Sequence, residues 1–164
     1  MNKAIEKEID MENKMFCYQC EQTAGCTGCT GNAGVCGKSA NTARLQDELT
    51  GAIIGLARAA EGNEHLVNEE MNQLVLEGLF TTVTNVNFND ETLKILIYKI
   101  ENAKKKLVPN CFTCSGSCGK NDNFDMNTLW TTDEDVRSLK SLILFGIRGM
   151  AAYAYHASVL GYTD

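Results

Sequence analysis

NTARLQDELTGAIIGLARAAEGN, residues 41–63, decides the fold class. Its apolar residues Leu45, Leu49, Ile53, Leu56 and Ala60 return at steps of three and four, while Arg44, Asp47, Glu48 and Arg58 fall off that stripe. Such a period marks an amphipathic helix. Ser39, Asn41 and Thr42 are candidate N-caps and Gly62-Asn63 is a stop, which predicts a helix over about 41–61.

The same period continues C-terminally. Leu66, Val67, Met71, Leu74, Val75, Leu79 and Val83 predict a second helix over about 64–84. NVNFND interrupts it, and Asn89 caps a third helix carrying Leu93, Leu96, Ile97, Ile100 and Leu107, with Asp90 and Glu91 in its first turn. This helix ends before the single proline, Pro109, because the residue preceding a proline disfavours the α conformation. Its terminal run Lys104-Lys105-Lys106 reads as a solvated face favoured by the helix dipole. Residues 110–131 form an irregular region holding Cys111, Cys114 and Cys118, with Trp130 as its anchor. Thr132 is the expected cap of a last helix, with Asp135 as its capping-box carboxylate. Leu139, Leu142, Ile143, Ile147, Met150, Ala151, Ala154 and Ala157 extend that helix to a stop at Gly161, a length of ~42 Å. Gly146 and Gly149 inside it suggest close contact with a neighbouring backbone, or a bend. Nothing alternates with strand period, so the expected class is all-α: an antiparallel helix bundle.

N-terminal to the bundle stands MFCYQCEQTAGCTGCTGNAGVCGK, residues 15–38, a glycine-rich loop with Cys17, Cys20, Cys26, Cys29 and Cys36. The expected organisation is a flexible extension over 1–14, the cysteine loop over 15–38 and the helical bundle over 39–164. A Cys-x2-Cys pair lets two sulfurs of one turn reach a single ion or cluster, and glycines let the backbone close around it. Four thiolates suit an iron–sulfur cubane and equally suit tetrahedral zinc. The short gap between Cys20 and Cys26 favours iron–sulfur, since zinc knuckles usually stand farther apart. A non-enzymatic zinc-binding helical interaction module is the alternative. Should the helices run up, down and up, Cys111, Cys114 and Cys118 lie at the opposite pole from the first loop. His65 reads as solvated, and His156, Phe145, Tyr153 and Tyr155 as packing or interdomain residues.

A net charge of −6 makes nucleic acid an unfavourable partner. No apolar run approaches the ~20 residues that cross a bilayer, and the charged N-terminus is unlike a secretory signal. Eight cysteines without such a signal point to a reducing compartment, hence the cytoplasm.

FCYQCEQTA, TGCT, GVCGK and LQDEL resemble the N-terminal region of hybrid-cluster proteins, also called hydroxylamine reductases. CGKNDNFDM and DEDVRSLKSLILFGIRGMAAYAYHASVLG resemble later parts of the same helical domain, so the likeness runs from Met15 to Asp164. It implies that Cys17, Cys20, Cys29 and Cys36 ligate a proximal 4Fe–4S cluster, or 2Fe–2S as in another branch of the family. It further implies a hybrid iron–sulfur–oxygen cluster in domains absent from this sequence, an electron-donating small redox partner, and reduction of hydroxylamine to ammonia or of nitric oxide. Cys26 has no counterpart among the family's ligands. Family members are much longer, so this stretch alone is expected to be inactive, and an apolar face bared by the missing domains is expected to favour a homodimer.

Overall fold

The computed structural model describes residues 15–20, 28–84, 86–108 and 123–162. The expected extension over 1–14, Cys26, Pro109 and the trio Cys111, Cys114 and Cys118 lie outside the described residues. Five α-helices are present among the described residues: α1 (Ala40–Ala60), α2 (Glu69–Thr81), α3 (Asp90–Leu107), α4 (Met126–Trp130) and α5 (Glu134–Val159). The class is all-α, as the periodicity requires. Among the described residues no helix is long and apolar enough to cross a membrane.

Local chemistry sets the boundaries. Ser39 caps α1 by accepting from the Thr42 N–H at 3.0 Å, and Gly62 ends that helix at a φ of 81°. Asn89 caps α3 by accepting from the Glu91 and Thr92 amides. The second expected helix is divided. Residues Glu64–Leu66 make one 3-10 turn, Val67 is extended, and Asn68 accepts from the Met71 N–H to start α2 afresh. An Asn side chain that can satisfy an orphan amide favours a helix start over a helix interior. The expected cap at Thr132 is likewise displaced, because Asp133 accepts from Asp135 and Val136 instead. The irregular region contains the short helix α4, capped by Asp125.

The first three helices run up, down and up. Asn41 and Thr42 at the start of α1 both donate to Asp90 at the start of α3, and Lys106 near the end of α3 reaches Glu70 at the start of α2. α1 packs most extensively on α3, and α2 on α5. Leu49, Leu93, Leu96, Ile100 and Leu107 are fully buried between them, each contributing roughly 1.5–3 kcal/mol of burial. Lys104 corrects the expectation of a wholly solvated basic run. It is buried, bonded to Asn123 Oδ1 at 2.6 Å and paired with Glu101 at 3.0 Å.

One crossing brings the later part of the chain back toward the N-terminal loop. The Phe124 N–H donates to the Gly51 carbonyl at 3.1 Å, and a Cβ at position 51 would stand 2.2 Å from the Phe124 carbonyl oxygen. Only glycine admits that approach. Arg58 lies over the Phe124 ring at 5.1 Å, and α4 then delivers Trp130 edge-on to Phe16 and Tyr18. Trp130 therefore contacts the first loop, while the part of the second loop that it was expected to anchor lies outside the described residues.

Candidate metal centre

Two of the four candidate cysteines are locked together by their backbones. The Cys17 N–H donates to the Cys29 carbonyl at 3.1 Å, and the Cys29 N–H returns the bond at 2.8 Å, forming an isolated antiparallel bridge. Gly28 precedes it at a φ of 103°, where a Cβ would also press to 3.1 Å from the Phe16 ring, so glycine is needed on both counts. Cys17 and Cys29 are buried with Met15 and Ala43 in a small apolar cluster separate from the main core. Cys20 is half-buried and Cys36 exposed. Cys36 rides on a turn in which the Gly37 N–H donates to the Gly34 carbonyl, and the Gly34 N–H to the Lys38 carbonyl, each at 2.8 Å. Cys36 Sγ, Met15 Cε and Lys38 Cβ all lie 3.4 Å from where a Cβ at Gly34 would stand. The bridge brings Cys17 and Cys29 together. Among the described residues no three Cys, His, Asp or Glu side chains are gathered for a metal ion, so Cys20 and Cys36 do not complete a set with them.

That same turn carries Lys38 beneath the bridge. Its ammonium is buried, 3.7 Å from Cys17 Sγ, 3.2 Å from Gln19 Oε1 and 5.8 Å from the centre of the Phe88 ring. Gln19 is also buried. Its amide oxygen faces Lys38, its Nε2 donates to Asp47 Oδ1 at 2.8 Å, and its carbonyl accepts from Thr84 Oγ1 at 3.1 Å. The amide is thereby oriented between a cation and an anion, and the loop is tied to α1 and to the end of α2. The Trp130 indole N–H lies near Asp47 without completing a normal hydrogen bond.

Burial pushes the Cys17 thiol up from its ordinary range, against the pull of the Lys38 charge. Burial likewise raises Asp47, against the Gln19 hydrogen bond. Arg148 of α5 donates to Thr82 Oγ1 at 3.0 Å and Thr50 Oγ1 at 2.8 Å; burial lowers its pKa to about 10, with Asp47 and Cys17 opposing that shift.

The donor chemistry fits an anionic sulfur-bound group. Among the described residues no carboxylate lies within ion-pair distance of the Lys38 ammonium, and its two hydrogen-bond partners are a thiol and a neutral amide. A buried cation so placed is costly unless negative charge stands close by. Thiolates ligating iron or zinc carry that charge, and a bound metal deprotonates a thiol whatever its burial does.

Lys38, Gln19 and Asp47 escape the periodicity argument. Asp47 falls off the apolar stripe of α1 yet is half-buried, because the cysteine loop covers that flank. The available signal was Lys38 itself, a lysine two residues beyond a candidate ligand in a loop otherwise poor in charge.

Residues 15–164 match the Prismane/CO dehydrogenase family. The hydroxylamine reductase of Desulfovibrio desulfuricans is 42% identical over 166 residues, covering 92% of this chain and 30% of that protein. The hydroxylamine reductases of Methanocella arvoryzae and of Porphyromonas gingivalis strain W83 are 39% and 38% identical, covering 92% and 94% of this chain. The chain spans about 30% of the length of these relatives.

Proposed function

The chain belongs to the Prismane/CO dehydrogenase family, and on that premise we propose that it is the iron–sulfur electron-transfer domain of a hydroxylamine reductase. In this reading Cys17, Cys20, Cys29 and Cys36 hold the proximal cluster, 4Fe–4S in preference to 2Fe–2S. The polypeptide making up the rest of the relatives' length bears the hybrid cluster where hydroxylamine, or nitric oxide, is reduced in the cytoplasm. A small redox protein is the electron donor. When bound, the proximal group supplies reversible one-electron transfer.

The residues of this chain have separable tasks. Cys17 and Cys29 are held at fixed spacing by their mutual backbone bonds. Cys36 is presented by the Gly34–Lys38 turn, and Cys20 stands one residue beyond the oriented Gln19. Lys38 places positive charge against Cys17 Sγ, which favours the deprotonated sulfur. Phe16, Tyr18 and Trp130 cover the loop with aromatic surface.

The observation that carries this reading is the buried Lys38 ammonium at 3.7 Å from a cysteine sulfur, with no carboxylate within ion-pair distance among the described residues and Asp47 reached only through Gln19. Anaerobic reconstitution with ferrous salt and sulfide tests it. Iron and acid-labile sulfide in equal amounts, with broad visible absorption, are expected. A colourless protein that takes up zinc and no iron sinks the proposal in favour of a zinc-binding module.

A further inference from the structure

Cys17 and Cys29 exchange both of their N–H···O bonds, at 3.1 and 2.8 Å, in the isolated antiparallel bridge, and both are free thiols. Directly opposed residues of that kind have Cα atoms about 5.5 Å apart and side chains on one face of the ladder. A disulfide spans Cα atoms about 4.4–6.8 Å apart. Closure here needs new rotamers and at most about 1 Å of approach between the Cβ atoms. The two side chains already share one small apolar cluster with Met15 and Ala43. Cys20 and Cys36 stand outside the bridge, the first half-buried and the second exposed.

We propose that in the metal-free chain Cys17 and Cys29 close a reversible disulfide, with a low-molecular-weight disulfide such as oxidised glutathione as the oxidant. One protein thiolate attacks a glutathione sulfur, breaking the small molecule's S–S bond and expelling one glutathione thiolate. The second protein thiolate then displaces the other glutathione and forms the Cys17–Cys29 bond. The two protein thiols give up two electrons and two protons, and one oxidised glutathione becomes two reduced ones. Cys17 is 6% and Cys29 8% exposed, so exchange proceeds through local opening of the loop, and reclosing returns the bond to the apolar cluster. Eleven residues lie between these cysteines, against two between Cys17 and Cys20 or between Cys26 and Cys29. An unstructured chain therefore closes the short rings in preference, and the ladder reverses that order by bringing the distant pair together beforehand. A reducing compartment keeps such a bond transient. The disulfide stands on the ladder alone. Its consequence, that the bond and a bound cluster exclude one another, rests on the proposed reading of the loop.

The test equilibrates the full chain, stripped of metal by a chelator, in glutathione buffers of stepped oxidation, with and without urea. Samples are quenched with acid, alkylated, cleaved at Tyr18 and Glu21 to separate Cys17, Cys20 and the later cysteines, and read by tandem mass spectrometry. Without urea, the Cys17–Cys29 disulfide is expected to exceed every other intramolecular pair by roughly tenfold or more, because the ladder has already closed that ring. Mixed disulfides with glutathione are expected to collect on the exposed Cys36. In urea the preference is expected to pass to Cys17–Cys20 and Cys26–Cys29. A different dominant pair in the folded chain overturns the proposal, as does the absence of an intramolecular disulfide at every buffer ratio. The same Cys17–Cys29 preference in urea also overturns it, since the ladder would then not be its cause. Iron content enters no readout, so failure here is distinct from failure of the cluster reading.

Discussion

Gly51 and Gly149 both lie inside helices, yet the same substitution to alanine has opposite expected signs at the two positions. Alanine is favoured over glycine in a helix interior by about 1 kcal/mol. At position 149 a Cβ meets nothing within 4 Å, so the propensity gain stands almost alone. Gly149→Ala is expected to stabilise the chain by about 0.5–1 kcal/mol, a rise of roughly 2–3 °C in Tm for a protein of this size. At position 51 the Cβ would stand 2.2 Å from the Phe124 carbonyl oxygen, well inside the 3.0 Å that real contacts respect. A carbonyl cannot swing aside as a side-chain tip can, so the segment carrying Phe124 must move. Its 3.1 Å hydrogen bond to Gly51 is then lost, at about 1 kcal/mol, and the overpacking costs about 1–3 kcal/mol more. After the helical gain is subtracted, Gly51→Ala is expected to destabilise by about 1–3 kcal/mol, a fall of roughly 3–8 °C. Thermal and urea unfolding followed by far-UV circular dichroism measure both. A stabilised Gly51→Ala, or two shifts of the same sign, would refute the crossing of Phe124 over α1 and with it the path that brings Trp130 to the cysteine loop.

Three further outcomes test the site. Cys29→Ser is expected to abolish iron uptake while Cys26→Ser retains it, and the reverse pattern in iron and sulfide analysis would reject the ligand assignment. Lys38→Met is expected to lower the reduction potential of the reconstituted protein, by on the order of 100 mV, because a positive charge beside the Cys17 sulfur favours the reduced form; an unchanged potential in a spectroelectrochemical titration argues against a role for that ammonium. Asp47 has a folded-state pKa raised above its ordinary 3.8 by burial, so the native state binds the extra proton and stability falls as pH rises through that raised value. Asp47→Asn keeps an oxygen for the Gln19 amide and is expected to make the metal-free protein more stable at pH 7, the advantage vanishing below the ordinary carboxylate range; urea unfolding at both pH values decides it.

Much of the scaffold was legible because its signals are local. Ser39 and Asn89 cap the helices that the periodicity of Leu45–Leu56 and Leu93–Leu107 announces, and Gly161 stops the last helix at a φ of 84°. What was not legible depends on distant partners. Asn68 could as well have been a polar residue on a long helix, and only its bond to the Met71 amide divides the segment. Lys104 looks like its neighbours Lys105 and Lys106 until Asn123 closes over it. Asp47 carries the pattern of a solvated position, yet Gln19 of the cysteine loop, 28 positions away in sequence, reaches it. The Cys17–Cys29 bridge is likewise invisible to spacing rules, which count ligands without saying which two share a backbone ladder.

The last helix shows most plainly what periodicity can and cannot say. Leu139, Leu142, Ile143, Ile147 and Met150 repeat as regularly as the core residues of α1, yet they face solvent while the polar Ser141 and Arg148 are buried. Period reports that a helix has an apolar side, not that this chain covers it. Arg148 makes the inversion intelligible, since its guanidinium bonds Thr50 and Thr82 and feels the charge of Asp47 and the sulfur of Cys17. One side of α5 is thus electrostatically tied to the cysteine loop through α1, and the other is apolar and open. Helical period alone therefore gives the same reading for a stripe that packs inward on α1 and for one that faces outward on α5.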